Sequence, residues 1–252
     1  MRNIPHPSPV RSAEVAPPAP LPPAPASPAR VTVREIAGIT FEGVAFDSRN
    51  HHLVVADQVN GPGSRWPDAS AAAQAVGGLA AINASFFTPE GAPLGLVVSA
   101  GKISGSWNTA SSLGSGAWCE TPTAHPSIVR REKLGRTGAA AMREVIQAGP
   151  LLVENSQAVS GLDATKSSIR TFVFWDGGTR WWIGRASACT LHALRQALAS
   201  GRPADWPVRH ALNLDGGRSC DLWISSEVSG GPLLRRTPWN RPVRNFLVLV
   251  PG

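Results

Sequence analysis

The chain of 252 residues contains no tyrosine, two methionines and three cysteines. Three widely separated thiols allow at most one disulfide and match no zinc-binding spacing, so neither a disulfide framework nor a cysteine metal centre is expected. No apolar run approaches the ~20 residues that cross a membrane, so no integral membrane segment is predicted. Zinc-finger spacing and basic stretches interleaved with aromatics are also missing, which argues against a nucleic-acid partner.

Lysine is scarce as well, although the chain is basic: 24 Lys and Arg against 17 Asp and Glu give a net charge of +7. Two interpretations stay open. The surface attracts an anionic partner such as phosphate or an acidic glycan, or it is simply rich in scattered arginine. The longest basic runs, Arg130–Arg131 and Arg235–Arg236, contain only two residues each. The sequence leaves the oligomeric state open.

Proline is concentrated near the N-terminus, where it accounts for ten of the 24 residues from Pro5 to Pro28. Proline lacks the backbone N–H and has a fixed φ, so this segment favours an extended chain. We predict a Pro-rich disordered tail over residues 1–30 and a folded domain over residues 31–252. No apolar signal-peptide region follows Met1. Because such tails often tether a domain, an extracytoplasmic location in the periplasm or cell envelope is favoured, with the cytoplasm as the alternative.

The folded part reads as short strands joined in pairs, with few helices. Hairpins are predicted over residues 40–58, 91–103, 149–159 and 169–187, and a last strand over 245–250. Asp68 and Thr190 are placed to cap helices at 69–76 and 191–200. Residues 104–125 are predicted to form a long surface loop, and residues 126–148 fit a strand or a helix. The predicted fold class is α+β: a single domain, mainly an antiparallel β-sheet built from hairpins, with a few packed helices.

The turn Leu212–Ser219, reading LNLDGGRS, is the first candidate site. Asp215 stands at the end of a predicted strand. Gly216 and Gly217 let the backbone turn sharply and approach a ligand, and successive N–H groups in such a turn form an anion-binding nest. Ser219 adds a hydroxyl. An ordinary Asp-Gly turn explains the same segment equally well.

Four other segments carry polar groups in places that are otherwise apolar or tightly turned. Asn83 follows the apolar run 79–82, and a buried amide must find hydrogen-bond partners. Gly149–Pro150 starts a strand, Arg170 opens another, and residues 240–245 hold two arginines and two asparagines. Arginine suits bidentate binding of phosphate or carboxylate. Each segment also has a purely structural interpretation, such as a rim salt bridge for Arg170.

Taken together and in order, six segments resemble the phosphodiester glycosidase family: AAINASFF, GAPLGLVV, QAGPLLVEN, SIRTFVF, LNLDGGRS and NRPVRNFLV. The resemblance covers roughly residues 40–250. It implies a hydrolase that cleaves a glycosidic bond in a sugar phosphodiester or a phosphate-containing envelope glycan. It implies catalytic roles for Asp215, Arg170 and Asn83, and substrate contacts at Gly149, Pro150, Gly216, Gly217, Ser219, Arg241 and Asn245. Arg218 departs from the family pattern, since glycine is usual there.

The expected mechanism follows from this resemblance. Arg170 and the N–H groups of Gly216–Gly217 would hold the phosphate, and Asp215 would act as base or nucleophile toward the sugar carbon. Asn83 and Ser219 would orient the substrate. No cofactor is certain, and a divalent cation bound through Asp215 stays open. A second carboxylate is not identified; the candidates are Asp47, Glu90, Glu154 and Asp221.

Two other functions stay open at this point. One is a non-catalytic envelope module that binds an anionic glycan, which the basic charge, the nine tryptophans and the Pro-rich segment would suit. The other is a glycosidase or transferase acting on an envelope polysaccharide without phosphate. A glycosidase or transferase of this kind differs from a phosphodiester glycosidase in one structural respect: it does not need Arg170 in the same pocket as Asp215.

Overall fold

Three antiparallel sheets dominate the computed structural model, which describes residues 28–252. The strands are β1 (Arg30–Ile36), β2 (Ile39–Asp47), β3 (His51–Asp57), β4 (Ala80–Asn83), β5 (Val97–Ser99), β6 (Lys102–Ser104), β7 (Gly116–Glu120), β8 (Pro126–Arg130), β9 (Glu144–Ala148), β10 (Leu151–Glu154), β11 (Gln157–Ala158), β12 (Ser168–Trp175), β13 (Arg180–Cys189), β14 (His210–Asn213), β15 (Asp221–Ile224), β16 (Leu233–Arg236) and β17 (Asn245–Pro251). The helices are α1 (Ala69–Ala75), α2 (Arg131–Ala140) and α3 (Leu191–Ser200).

The strands divide into a seven-stranded first sheet and two five-stranded sheets. Their orders are β1-β2-β13-β12-β14-β10-β11, β16-β15-β4-β17-β3 and β6-β5-β9-β7-β8. The predicted α+β class with mainly antiparallel strands is therefore confirmed. The part of the predicted Pro-rich tail that covers residues 1–27 lies outside the described residues, and β1 begins at Arg30. No helix in the described part is long and apolar enough to span a membrane.

One hydrophobic core is shared by all three sheets. Its buried members include Ile183 and Leu212 from the first sheet, Ile82 and Leu247 from the second, and Trp118 from the third. The opposite face of each sheet is covered by one helix: α3 on the first sheet, α1 on the second and α2 on the third. This layering buries both faces of the central strands.

Local sequence signals place α1 and α3. The Asp68 carboxylate accepts a hydrogen bond from Ala71 N at 2.9 Å, and the Thr190 hydroxyl accepts one from Ala193 N at 3.1 Å. Such caps satisfy backbone donors that have no partner inside the helix, and each contributes about 1 kcal/mol. Leu194 and Leu198 are then fully buried against the first sheet. Both helices begin where the sequence predicts.

The predicted hairpin over residues 40–58 is wrong in its pairing. Both strands exist, but β2 pairs with β1 and β13 in the first sheet, whereas β3 pairs with β17 in the second. The turn between Asp47 and His51 carries the chain from one sheet to the next. Alternation of side chains identifies a strand but does not specify its partner, and the partner here comes from the other end of the sequence.

The predicted surface loop over residues 104–125 is also partly wrong. Its second half contains β7, whose five residues are all buried and which lies between β8 and β9. A strand buried on both faces shows no alternation of apolar and polar residues, so the periodicity could not reveal it. The ambiguous stretch that follows contains β8, α2 and β9.

Candidate functional site

The candidate site lies where the ends of β4 and β14 meet. Asp215 N donates to Ala84 O at 2.9 Å, and the Asn83 side-chain amide donates to Asp215 O at 2.7 Å. These bonds join the turn after β14, in the first sheet, to the turn after β4, in the second. Each strand follows a helix, α3 or α1, so two similar helix–strand units deliver their polar ends to one place.

The Asp215 carboxylate is buried, with 6% of the residue exposed. Its Oδ1 accepts a hydrogen bond from Gly216 N at 2.9 Å, and its Oδ2 lies 3.5 Å from Arg241 Nη2. Oδ2 itself has no hydrogen-bond partner among the described residues. Burial raises the pKa of Asp215, while Ser219, Arg241 and the Gly216 N–H oppose that rise. A carboxylate poised in this way suits proton abstraction or nucleophilic attack.

The hydrogen bond from Gly216 N to Asp215 alters the anion-binding turn that the sequence predicts at Gly216–Gly217. Because the Gly216 N–H already serves the carboxylate, it is not available to a ligand in this conformation. Gly216 is still required for close packing: an added Cβ would lie 2.7 Å from the Ile169 carbonyl oxygen. Gly217 has a φ of +63°, a left-handed conformation that favours glycine.

A groove of about 360 Å³ opens beside Asp215. Five predicted site residues line it: Pro150, Arg170, Asp215, Gly216 and Gly217. Arg170 and Asp215 therefore share one pocket, although 45 residues separate them in sequence (215 minus 170). The groove lining also contains Phe86, Leu113, Asp163, Lys166, Ser168, Leu191 and Asn213.

The Arg170 guanidinium is held by two backbone carbonyls at the groove. Nε donates to Cys189 O at 3.1 Å, and Nη2 donates to Lys166 O at 2.7 Å. These bonds fix the plane of the group and leave Nη1 for a ligand. Burial lowers the pKa of Arg170, but a guanidinium stays charged at neutral pH. Lys166 lies on the same lining, and so does Asp163, which interacts electrostatically with Arg170, so this side of the groove carries two cationic groups and one carboxylate.

Gly149 and Pro150 form the connection from β9 in the third sheet to β10 in the first. Pro150 O accepts from Asn213 N at 3.1 Å, and Gly149 O accepts from the Asn213 side chain at 2.9 Å. A Cβ on Gly149 would overlap the Ser112 carbonyl oxygen, so only glycine fits there. The pair thus fixes the floor of the groove, with Pro150 on its lining and Gly149 behind it.

Asn83 and Asn245 lie outside the groove lining and serve as its framework. Asn83 is fully buried, and its Oδ1 accepts from the Thr171 hydroxyl at 2.9 Å and from Asp221 N at 3.1 Å. Asn245 Oδ1 accepts from Ser85 N at 2.9 Å. Since the Asn83 amide bonds the Asp215 backbone and the Asn245 amide bonds Ser85 in the facing turn, their geometry favours positioning of the turns over contact with a substrate.

Ser219 and Arg241 form a pair on the other side of Asp215. Arg241 Nε donates to the buried Ser219 hydroxyl at 3.0 Å, and its guanidinium lies 4.5 Å from the centre of the Phe87 ring. These contacts hold the Arg241 charge next to Asp215, although 44% of the Arg241 side chain is exposed. Arg218, the unusual residue of the motif, is exposed and donates to Trp239 O at 3.2 Å.

The four candidates for a second carboxylate do not line the groove. Asp47 pairs with Arg49, Glu154 pairs with Arg130, and Asp221 accepts from Ala69 N at 3.0 Å. Glu90 lies in the turn after Thr88. Besides Asp215, the carboxylate on the lining is Asp163. Within residues 28–252, no three His, Cys, Asp or Glu side chains are grouped to hold a metal ion.

Lys166, Ser168 and Asn213 are groove residues that sequence reasoning did not assign. Ser168 opens β12 and belongs to the SIRTFVF segment, but the register shifts between Ser168 and Arg170, so strand alternation does not place its side chain. Asn213 is the last residue of β14, and strand alternation across Leu212 and Leu214 predicts that its side chain leaves on the same face as that of Asp215. Lys166 lies in a loop without periodicity, so no sequence signal places it in the groove.

Known proteins share both sequence features and the fold of this chain. Residues 77–250 match the phosphodiester glycosidase family model. No curated protein matches the sequence. Among solved structures, the auto-inhibited catalytic domain of zebrafish N-acetylglucosamine-1-phosphodiester alpha-N-acetylglucosaminidase is similar, with a TM-score of 0.62 and 16% identity over 90% of this chain and 84% of that one.

Two bacterial structures are also similar. A hypothetical protein from Synechocystis gives a TM-score of 0.53 at 17% identity, over 88% of this chain and 61% of that one. A protein from Burkholderia pseudomallei gives 0.53 at 14% identity, over 85% and 75%. At these identities the structural likeness shows the fold alone. The family match includes all six motifs and more than two thirds of the sequence, and the chain therefore belongs to the phosphodiester glycosidase family.

Proposed function

We propose that this protein is a hydrolase that cleaves the glycosidic bond between a sugar and a phosphate group, in a sugar phosphodiester or a phosphate-containing envelope glycan. The observation that carries the proposal is the shared groove of Asp215 and Arg170. The Asp215 carboxylate, whose Oδ2 makes no hydrogen bond with a described residue and lies 3.5 Å from Arg241 Nη2, lines the same groove as the fixed Arg170 guanidinium. Family membership supports the reaction class.

Cleavage at a phosphate-linked sugar requires two different contributions. Negative charge develops on the departing phosphate, and fixed cations near it lower the barrier because they need no reorganisation. Arg170 and Lys166 supply those charges. Phosphate leaves as a stable anion, so a strong general acid is not needed. The groove accordingly has no requirement for the second buried carboxylate that many glycosidases use.

Asp215 supplies the other contribution, which is a base or nucleophile directed at the anomeric carbon of the sugar. The Gly216 N–H holds Oδ1, so Oδ2 is the oxygen that attacks the carbon or takes a proton from water. Ser219 and Arg241 favour the ionised form of the carboxylate against the effect of burial, and they orient it. Asn83 fixes the Asp215 backbone, and Asn245 fixes the facing turn. We therefore assign Asn83 and Asn245 as positioning residues.

The test is sugar release from N-acetylglucosamine 1-phosphate methyl diester by purified protein. Asp215→Asn is expected to lower kcat by about 100-fold or more, since it removes the base or nucleophile. Arg170→Ala is expected to raise KM and lower kcat together. Arg34→Ala is the matched control, because Arg34 bonds Asp205 on another surface and should retain wild-type turnover. Wild-type turnover in both Asp215→Asn and Arg170→Ala would disprove the assignment.

The same variants separate the alternative functions. A module that only binds an anionic glycan would release no sugar or phosphate, and its binding would survive Asp215→Asn. An enzyme acting on a phosphate-free glycan would cleave neutral oligosaccharides with little effect of Arg170→Ala. We also propose an extracytoplasmic location, supported by the Pro-rich segment of the sequence, which cell fractionation with an antibody to the protein would check.

A further inference from the structure

The Asn213 side chain is a polar feature of the groove that the proposed mechanism does not use. Asn213 is 2% exposed and lines the groove beside Asp215. Its Nδ2 donates to Gly149 O and to Leu214 O, each at 2.9 Å. Both amide hydrogens are therefore committed to backbone carbonyls. A flipped amide would place its oxygen against those two carbonyl oxygens, so the hydrogen-bond network fixes the orientation.

The other end of the same amide has no partner. Asn213 Oδ1 is buried, and no described residue donates a hydrogen bond to it. A buried acceptor without a donor is costly, and native proteins rarely leave one unless a ligand or a functional role accounts for it. Because the amide is locked from behind, Oδ1 cannot turn away to find another partner. The amide is thus held in one orientation at the groove wall, with an acceptor oxygen that lacks a donor.

Asp215 adds a second acceptor on the same side. Asn213 ends β14, Asp215 stands two residues later in the turn, and both line the groove. Asp215 Oδ2 is also buried without a hydrogen-bond partner among the described residues. Arg241 Nη2 lies 3.5 Å from Asp215 Oδ2, so Asn213 Oδ1 is the acceptor here that has neither a hydrogen bond nor an ion pair with a described residue, and it calls for a ligand that carries a hydrogen-bond donor. A bare phosphate has mostly acceptor oxygens and fits the cationic side with Arg170, not this one.

We propose that Asn213 determines specificity for the sugar part of the substrate, by accepting a hydrogen bond at Oδ1 from one ring hydroxyl or acetamido N–H. The proposal rests on the proposed function for its ligand class, a sugar joined to phosphate. The ligand then lies with a sugar donor toward Asn213, its anomeric carbon toward Asp215 and its phosphate toward Arg170 and Lys166. This arrangement would select sugar phosphates over inorganic phosphate.

The test is a thermodynamic cycle between protein variants and ligand analogues. The probes are the 1-phosphates of N-acetylglucosamine, glucose, galactose and mannose, the deoxyfluoro analogues of the sugar that binds best, and inorganic phosphate. Calorimetry measures Kd. In the wild-type protein, one analogue that lacks a single donor should bind about 10-fold more weakly than the full sugar, which corresponds to one buried hydrogen bond.

Two variants separate the acceptor from the structural bonds. Asn213→Ala and Asn213→Asp both lose the two N–H bonds to the carbonyls, but only Asn213→Asp keeps a side-chain oxygen as acceptor. The 10-fold difference between the full sugar and that analogue should vanish in Asn213→Ala and persist in Asn213→Asp. Inorganic phosphate should bind Asn213→Ala and the wild type equally.

Several results would overturn the proposal. One is an undiminished difference in Asn213→Ala, and another is equal binding of all analogues by the wild type. A third is the failure of every sugar phosphate to bind at millimolar concentration. If both variants fail to fold, a crystal structure of the wild type with the best probe decides: a sugar donor must lie within about 3.2 Å of Asn213 Oδ1. Turnover is scored separately, so binding with the expected cycle but no sugar release would refute the hydrolase and leave this inference standing.

Discussion

The charge of Arg241 should set the pH dependence of catalysis through Asp215. Arg241 Nη2 lies 3.5 Å from Asp215 Oδ2. If Asp215 acts as base or nucleophile, it works in the ionised form, so activity rises as the pH increases through its pKa. Burial raises that pKa, and the positive charge of Arg241 opposes the rise. Replacing Arg241 with neutral glutamine should therefore raise the pKa and move the acidic limb of the pH profile to higher pH.

The separation of the two charges gives the size of the shift. Coulomb's law at this distance gives about 1 kcal/mol in water and about 5 kcal/mol at an effective dielectric constant of about 20. Because 44% of the Arg241 side chain is exposed, solvent screening places the interaction near the lower value. One pKa unit corresponds to about 1.4 kcal/mol. We expect the acidic limb to move upward by about one pH unit.

The assay is the pH profile of kcat/KM on N-acetylglucosamine 1-phosphate methyl diester at constant ionic strength. Arg241→Lys keeps the charge and should keep the limb close to the wild-type position. Arg218→Gln is a matched control, since it removes a nearby exposed charge that bonds Trp239 O. A 13C NMR titration of Asp215 measures the same pKa directly. A limb that stays in place in Arg241→Gln, or moves equally in Arg218→Gln, would refute the coupling.

Two further predictions concern stability. Burial raises the pKa of Glu144 to about 7 from its ordinary value of 4.5. Between these two values the folded state holds a proton that the unfolded state has lost, so the free energy of unfolding should fall as the pH rises from about 4.5 to about 7, by about 3 kcal/mol from this residue. Urea unfolding at several pH values measures this slope, which should be shallower in Glu144→Gln; an identical slope would contradict it. Gly149→Ala should destabilise the protein by about 1–3 kcal/mol or more, since its Cβ would meet the Ser112 carbonyl. Thermal unfolding checks this against Gly161→Ala, where a Cβ has open space but a positive φ, so that only the smaller conformational cost applies.

Local signals were sufficient for much of the secondary structure. The caps at Asp68 and Thr190, and the hairpin of β12 and β13, depend on residues close in sequence, so the sequence predicts them correctly. Pairing across long distances was not predictable. β2 and β3 look like a hairpin in isolation, yet their partners β13 and β17 lie far along the chain. Because β7 is buried on both faces, its sequence lacks the alternation of apolar and polar residues that would have indicated a strand.

The candidate site also combines a local feature with contacts between residues far apart in the sequence. The sequence by itself determined the turn at Asp215, because glycines that permit a sharp turn next to a carboxylate are a local feature. Only the tertiary structure decided which side chains face that carboxylate. Arg170, Lys166 and Asn213 line one groove with Asp215. Asn83 and Asn245 lie outside this lining, where they bond the Asp215 carbonyl and the Ser85 N–H. The physical reason is that strand ends from three sheets meet here, and sheet pairing is settled by packing of the shared core rather than by neighbouring residues.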